Sequence, residues 1–470
     1  MEENKSWKRG RSGVHLRLNG HSLDMTQGAI GPILLQFSLP LLFGSMFQLL
    51  YNTVDSMVVG NFVGKEALAA VSATTQICNT LVKLFNGTSI GAGAVISRDF
   101  GARDQEKLRK AIHTTMALTL AACVFLTFLG LLSTDWMLRR TSTRAEIFRE
   151  ASLYLHIYFA GVSGLLIYNM GSAILRALGD TRRPLAFLVV SSVLNVVLDL
   201  LFVIVFQWGI MGVALATVLA QFVSAGLVIW NLMFALDVCP FSWREVRIDG
   251  GTAARILRMG LPIGLQQAII SFSNVFVQAY INVFDTACIA AWGCYFKLDQ
   301  YMMLPIQSMG DAVTTFVAQN LGARQLDRAK KGIWIAFSMA FGISVLTAIV
   351  LCAFAPQLVG AFIPDGAVIE YGKKFIWLCT PVAVLCCFNQ CLSGALRGAG
   401  RSQVPMIITL CTHVLFRQIY LAIATRVVPG NVYVIAFGYP AGWILCAIVI
   451  VACYRFSRWD SEYAVRWERK

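Results

Sequence analysis

The stretch Leu175-Arg-Ala-Leu-Gly-Asp-Thr-Arg-Arg-Pro184 recurs 221 residues later as Leu396-Arg-Gly-Ala-Gly-Arg-Ser-Gln-Val-Pro405. In each copy a glycine can end one helix, and a proline can begin the next one. The repeated stretch therefore predicts the same helix–turn–helix connection in two places. It contains no pattern of catalytic residues.

Two shorter motifs repeat at almost the same spacing. Gly101-Ala-Arg103 falls on Gly322-Ala-Arg324, and Leu39-Pro40 falls on Leu261-Pro262 at a spacing of 222. Three matches at nearly one spacing indicate that the chain consists of two related halves.

The composition is that of a membrane protein. Hydrophobic residues make up 57% of the chain, charged residues only 14%, and the mean hydropathy is +0.66. A soluble protein would carry about 25% charged residues. Apolar runs long enough to cross a bilayer recur throughout, six in each half. The sequence thus predicts an all-α polytopic membrane protein with twelve transmembrane helices in two six-helix bundles.

An even number of spans in each half means that the repeats run parallel to one another. With both termini cytoplasmic, the inner segments hold 28 Lys and Arg and the outer loops hold eight, as the positive-inside rule requires. The +14 charge therefore does not indicate nucleic-acid binding. The predicted division is a cytoplasmic tail (1–25), an N-lobe (26–236), a cytoplasmic linker (237–258), a C-lobe (259–456) and a second tail (457–470).

Two carboxylates in the N-lobe spans suggest an ion site. A rise of about 1.5 Å per residue puts Asp55, Asp199 and Thr217 at similar depths, and Asn195 lies one helical turn before Asp199. Oxygen ligands of this kind suit a hard cation such as sodium, and two neighbouring carboxylates can instead share a proton. A static polar network is the alternative.

Other polar residues within the spans have less definite roles. Gln48 and Tyr51 extend a polar stripe that leads to Asp55. Lys297 and Asp299 do not share a helix face, and each either lines a cleft or forms a structural ion pair with a different neighbour. Asp311, Lys83 and Arg417 stay ambiguous. The thirteen cysteines favour packing roles, and the chain contains no catalytic or cofactor motif. We therefore predict a protein that is neither an enzyme nor a cofactor carrier.

A series of short motifs runs along both halves: Leu39-Pro40, Asp55-Ser-Met-Val-Val-Gly60, Gly91-Ala-Gly-Ala94, Phe100-Gly-Ala-Arg103, Arg176-Ala-Leu-Gly-Asp180, Asn195-x-x-x-Asp199, Pro305-x-x-x-x-Gly310, Ala318-Gln-Asn-Leu-Gly-Ala-Arg324 and Leu396-Arg-Gly398. In this order, the motifs resemble those of the multidrug and toxic compound extrusion (MATE) family of cation-coupled exporters. The resemblance covers residues from about 26 to 456.

The resemblance implies a V-shaped pair of lobes in a bacterial inner membrane that exports organic cations against sodium or protons by alternating access. In one branch of the family, an N-lobe cation site corresponds here to Asp55, Asn195, Asp199 and Thr217. Another branch uses acidic residues in the C-lobe, but residues 266–281 and 376–393 contain none. The expected partners are organic cations, the coupling ion and membrane lipid, and the expected state is a monomer.

Three other functions fit the sequence less well, because each needs a feature that the sequence does not show. A lipid-linked saccharide flippase would need a cationic cavity, yet the spans hold four acids and three bases. A membrane-embedded transferase or hydrolase would need a clustered acid/base or metal set. A channel would need a ring of similar pore-lining residues, which two repeats do not supply.

Overall fold

A computed structural model of the chain describes residues 23–141, 143–236, 238–457 and 459–460. These residues contain many helices and no strand. The predicted tails, 1–25 and 457–470, fall mostly outside the described residues. The helices are α1 (Ile30–Val58), α2 (Lys65–Gly101), α3 (Gln105–Arg140), α4 (Ala145–Ala177), α5 (Arg182–Leu200), α6 (Gly209–Phe234), α7 (Gly250–Ile281), α8 (Thr286–Gly322), α9 (Leu326–Ala353), α10 (Ala355–Phe362), α11 (Gly366–Ala383), α12 (Cys386–Gly398), α13 (Gln403–Thr409), α14 (Arg417–Val427), α15 (Val432–Ala436) and α16 (Gly438–Phe456).

Ten helical segments in the described part of the chain are long and apolar enough to cross a membrane. Helices α2 and α8 are more polar, but each has 37 residues. A helix of that length spans roughly 55 Å, well beyond a hydrocarbon core of about 30 Å. The predicted class, an all-α polytopic membrane protein built from two helical bundles, is confirmed.

The repeat detected in the sequence is also a repeat of helices. Helix α8 begins and ends 221 residues after α2, and α11 begins 221 residues after α4. Where α4 is continuous, its counterpart divides into α11 and α12. Helix α11 ends two residues after Pro381, and a proline removes one backbone hydrogen bond from a helix.

The repeated glycine ends a helix in both halves. Gly179 follows α4 with φ of 91°, and Gly400 follows α12 with φ of 82°. The next amide then donates back over the helix end, from Asp180 N to Leu175 O at 2.9 Å and from Arg401 N to Leu396 O at 2.8 Å. This hydrogen-bond pattern is a Schellman turn, whose left-handed residue favours glycine.

We expect Gly179→Ala to lower the thermal unfolding temperature of the detergent-purified protein more than Gly430→Ala does. Both residues have a left-handed φ, 91° and 79°, so an alanine is strained at either position by about 1–2 kcal/mol. At Gly179 alone the new Cβ would also lie 2.2 Å from the carbonyl oxygen of Leu23, whereas Gly430 has no atom within 4 Å. Equal shifts in the two variants would contradict this account.

Two compact units divide the described residues. Unit 1 comprises residues 23–24 and Phe43–Leu261, and unit 2 comprises Met25–Leu42 and residues 262–460. Helix α1 thus begins in unit 2 and continues in unit 1, whereas α7 begins in unit 1 and continues in unit 2. Each helix changes unit close to the proline of the repeated Leu-Pro motif, Pro40 in α1 and Pro262 in α7.

This division differs from the one that the sequence predicted. Residues 26–42, assigned to the N-lobe, pack in unit 2. Just before them, Met25 N donates to Gln319 Oε1 at 3.2 Å, and within them Gln27 O accepts from Arg328 Nη2 at 2.9 Å. Residues 259–261, assigned to the C-lobe, pack in unit 1, where a Cβ at Gly260 would lie 2.5 Å from Thr88 Cα. Packing, rather than chain order, decides which unit a segment of continuous helix joins.

The predicted polar linker also packs in unit 1, against α3. Ser242 N donates to His113 Nε2 at 3.1 Å, and Asp249 N donates to Thr114 Oγ1 at 3.2 Å. Arg109 donates two hydrogen bonds to Glu245, and these bonds hold the pKa of the Glu245 carboxyl below its usual value. The linker is therefore anchored by specific contacts rather than being a free connection.

Candidate functional site

A group of polar side chains meets inside unit 1 and is called the carboxylate cluster below. Its members come from three helices: Tyr51 and Asp55 from α1, Asn195 and Asp199 from α5, and Thr217 from α6. Asp199 is fully buried, and Asn195 and Thr217 are only 1% and 6% exposed. Such polar groups are costly to bury without partners, so their contacts determine what the cluster can do.

Asn195 connects α5 to α6 within the cluster. With its amide oriented to satisfy both neighbours, Asn195 donates to Asp199 Oδ2 at 3.0 Å and accepts from the backbone N of Thr217 at 3.2 Å. One helical turn separates Asn195 from Asp199, so both lie on the same face of α5. Asn195 therefore holds the Asp199 carboxylate in a defined orientation.

The two carboxyl groups of the cluster are near one another. Asp55 and Asp199 lie within hydrogen-bonding reach, so either can donate to the other when it carries a proton. Among the described residues, Oδ1 of Asp55 and Oδ1 of Asp199 are both buried without a hydrogen-bond partner. Two such oxygens in one place can bind a cation or a proton.

The hydroxyl groups of the cluster complete its oxygen ligands. Thr217 Oγ1 donates to the backbone oxygen of Val213 at 3.0 Å, which leaves its lone pairs free to accept. The Tyr51 hydroxyl comes from α1, one helical turn before Asp55. The cluster thus combines two carboxylates, an amide and two hydroxyls, a set of oxygens that suits a hard cation.

Backbone distortions follow both carboxylates. A π-helical segment, Val59–Val63, begins four residues after Asp55, and another, Leu201–Val205, begins two residues after Asp199. The two segments contact one another. Short π-helical insertions occur frequently at functional sites, because they re-aim neighbouring side chains. No local sequence signal predicted them.

A family model described as MatE matches residues 40–201 and 262–422 of the chain. The chain belongs to the MatE family. Its two matched segments correspond to the two halves of the internal repeat, and the first contains Asp55, Asn195 and Asp199. MatE-family membership makes the chain a multi-span membrane transporter, as the sequence motifs had predicted.

Named relatives cover nearly the whole chain. The probable multidrug resistance protein YpnP of Bacillus subtilis (strain 168) is 26% identical, over 93% of this chain and 98% of its own. An FAD transporter of Shewanella oneidensis is 26% identical, over 82% and 86% respectively. A solved structure, described as the outward-facing conformation of a multidrug resistance MATE family transporter of the MOP superfamily, has a TM-score of 0.87. It is 24% identical and covers 93% of this chain and 98% of its own, which shows the same fold.

The other residues that were predicted for the site lie at the edge of the carboxylate cluster or in unit 2. Gln48 is exposed on α1, one turn before the cluster begins. In unit 2, Lys297 Nζ lies 5.6 Å from the centroid of the Phe362 ring, whereas Asp299 accepts from the Tyr295 hydroxyl at 3.5 Å. Lys297 and Asp299 thus contact different neighbours, and within the described residues no ion pair joins them.

Buried tyrosines were missed by the sequence reasoning. In unit 1, Tyr154 on α4 is buried and stacks on Tyr158 with ring centroids 6.3 Å apart. In unit 2, Asp299 lies beside a comparable aromatic group. Tyr295 packs on Trp292 and Phe375, with centroids 5.1 Å and 6.4 Å away. The spacing of one helical turn between Tyr295 and Asp299 could have indicated their contact, whereas the packing of Tyr295 against Phe375 required the tertiary structure.

Proposed function

We propose that this protein is a cation-coupled antiporter that exports small organic cations across a bacterial inner membrane by alternating access, with both termini cytoplasmic. The observation that carries the proposal is the pair of buried, unpartnered carboxylate oxygens on Asp55 and Asp199. The naming of one relative as a probable multidrug resistance protein supports the drug-like cargo.

In this proposal, Asp55, Asn195, Asp199 and Thr217 form the coupling site, and the ion is sodium or a proton. An entering cation neutralises two neighbouring negative charges that are costly to bury. Its binding favours the conformation in which the carboxylates are closest, and its release favours the other. One charge that moves through about 100 mV supplies about 2.3 kcal/mol, enough for roughly 40-fold accumulation of cargo.

Asp299 and its aromatic neighbours are the proposed contact for the organic cation. A carboxylate that accepts from Tyr295 and lies among aromatic rings can attract a cation, and the ring faces add cation–π attraction. Apolar aromatic surface also accommodates cargo of varied shape. Gln48, Tyr51 and Lys297 remain predicted cleft residues.

The test is dye efflux from proteoliposomes that contain the purified full-length chain. We expect an imposed proton or sodium gradient to drive efflux of ethidium well above the rate in protein-free liposomes. Applying each gradient separately identifies the coupling ion. If neither gradient moves any cationic dye, the antiporter proposal fails, and lipid-linked substrates become the next cargo to test.

A further inference from the structure

Arg417 in unit 2 is a buried cation inside a predicted membrane span. It begins α14, within the segment Gln403–Val427 that is long and apolar enough to cross a bilayer. The residue is only 3% exposed. An arginine in such a position faces the interior of its helical bundle and is costly to keep there without a partner.

None of the described groups that contact Arg417 carries a negative charge. Nη2 donates to Ser273 Oγ and to Asn274 Oδ1, both at 2.8 Å, and the guanidinium lies 4.6 Å from the centroid of the Tyr439 ring. Its other titratable neighbour, His413, carries no negative charge. Among the described residues no carboxylate pairs with Arg417, and its Nε is buried without an acceptor.

The surroundings provide further hydrogen-bonding groups. The Tyr439 hydroxyl donates to Asn274 Oδ1 at 3.3 Å, and Gln418 Nε2 donates to Ser273 Oγ at 3.0 Å. Asn274, Gln418 and Tyr439 are half-buried rather than buried. Three polar groups next to the buried guanidinium are thus partly exposed.

We propose that Arg417 binds an oxyanion, a carboxylate or phosphate group, with Ser273, Gln418 and Tyr439 as supporting donors. The planar guanidinium presents paired N–H groups that match such an anion, and Nε is the donor still without an acceptor. The anion belongs either to the cargo or to a lipid headgroup. The cargo assignment rests on the proposed transport function.

The proposed oxyanion site at Arg417 is compatible with the proposed contact between Asp299 and an organic cation. The Tyr439 ring lies against the Arg417 guanidinium on one side and packs on Trp292, with ring centroids 5.7 Å apart. Trp292 packs in turn on Tyr295, which donates to Asp299, so one aromatic group connects the buried positive group with the carboxylate. A cargo that carries groups of both signs would use both contacts.

The test is a binding measurement on the full-length protein in a neutral detergent, with phenyl phosphate and benzoate as soluble probes. We expect both anions to raise the unfolding temperature of the wild type. The cation benzyltrimethylammonium should have the same effect on the unfolding temperature of the wild type and of Arg417→Gln. Arg417→Gln should weaken anion binding by about 10- to 100-fold, the usual effect of losing hydrogen bonds to a charged group. Arg426→Gln, an exposed arginine near the end of the same helix, is the matched control and should bind as the wild type does.

A parallel series with phosphatidylglycerol or phosphatidylcholine distinguishes the two sources of the anion. Stabilisation by phenyl phosphate that Arg417→Gln removes supports a soluble ligand, and stabilisation by phosphatidylglycerol alone that the variant removes supports a lipid headgroup. If no anion stabilises the wild type, or if Arg417→Gln binds all of them unchanged, the proposal is overturned. Arg417→Lys keeps the charge and provides a second variant if the glutamine variant does not fold. Because the measurement involves no transport, its failure is distinguishable from failure of the antiporter proposal.

Discussion

Replacing Asp199 by Asn should reduce gradient-driven dye efflux to the rate of protein-free liposomes while leaving the protein folded. The substitution keeps the size of the side chain, and an amide oxygen can still accept from Asn195, which now donates to Asp199 Oδ2 at 3.0 Å. It removes the negative charge and the site at which a proton or a cation binds. Without the Asp199 carboxylate, the coupling ion loses one of the two negative groups that are proposed to bind it.

Two controls make this prediction specific. Asp135→Asn changes an exposed carboxylate in the same unit, which accepts from Ser152 at 2.7 Å, and should leave efflux unchanged. Asp55→Asn should abolish efflux as Asp199→Asn does, and the double variant should be no worse than either single one, since groups that act as one unit are not additive. Efflux at the wild-type rate by both single variants would exclude the carboxylate cluster as the coupling site.

Gly394→Val should be among the most destabilising substitutions in unit 2. Helices α8 and α12 approach so closely that a Cβ on Gly394 would lie 2.5 Å from the carbonyl oxygen of Gly310. One turn later, a Cβ on Gly398 would lie 2.6 Å from the oxygen of Thr314. Small residues permit such contact between membrane helices. Forcing a larger side chain into it typically costs about 1–3 kcal/mol or more.

The measurement is the apparent unfolding temperature in detergent, compared with that of Gly342→Val. Gly342 is an exposed glycine inside α9 with no atom within 4 Å of its ideal Cβ position. Both variants place the same β-branched residue in a helix, so only the helix–helix contact differs between them. We expect a clear decrease for Gly394→Val alone. Similar shifts in the two variants would show that this contact is not closely packed.

The residues of the carboxylate cluster could be grouped from the sequence because helix geometry is local. A turn of helix places Asn195 beside Asp199, and a fixed rise per residue places Asp55 and Thr217 at comparable depths. The hydrogen bonds that orient Asp199 required the structure.

The charged residues of unit 2 also show which contacts could be predicted from the sequence and which required the structure. The sequence showed that Lys297 and Asp299 do not share a helix face, and the structure supplied their separate neighbours, Phe362 and Tyr295. Arg417 was ambiguous in the sequence, because its position within a predicted span does not show which neighbouring helix it contacts. Its burial against Ser273 of α7 depends on contacts between residues 144 positions apart.

By itself the sequence determined the membrane class, the two parallel halves and the repeated turns, because composition, apolar run length and glycine–proline patterns act over a few residues. Only the tertiary structure decided that residues 25–42 pack in unit 2, that residues 250–261 pack in unit 1, and that π-helical segments follow Asp55 and Asp199. The physical reason is that a continuous helix has the same local geometry whichever neighbour it packs against. The choice between neighbours is made by close contacts such as that between Gly91 and Gly260, where the missing side chains allow the two backbones to meet.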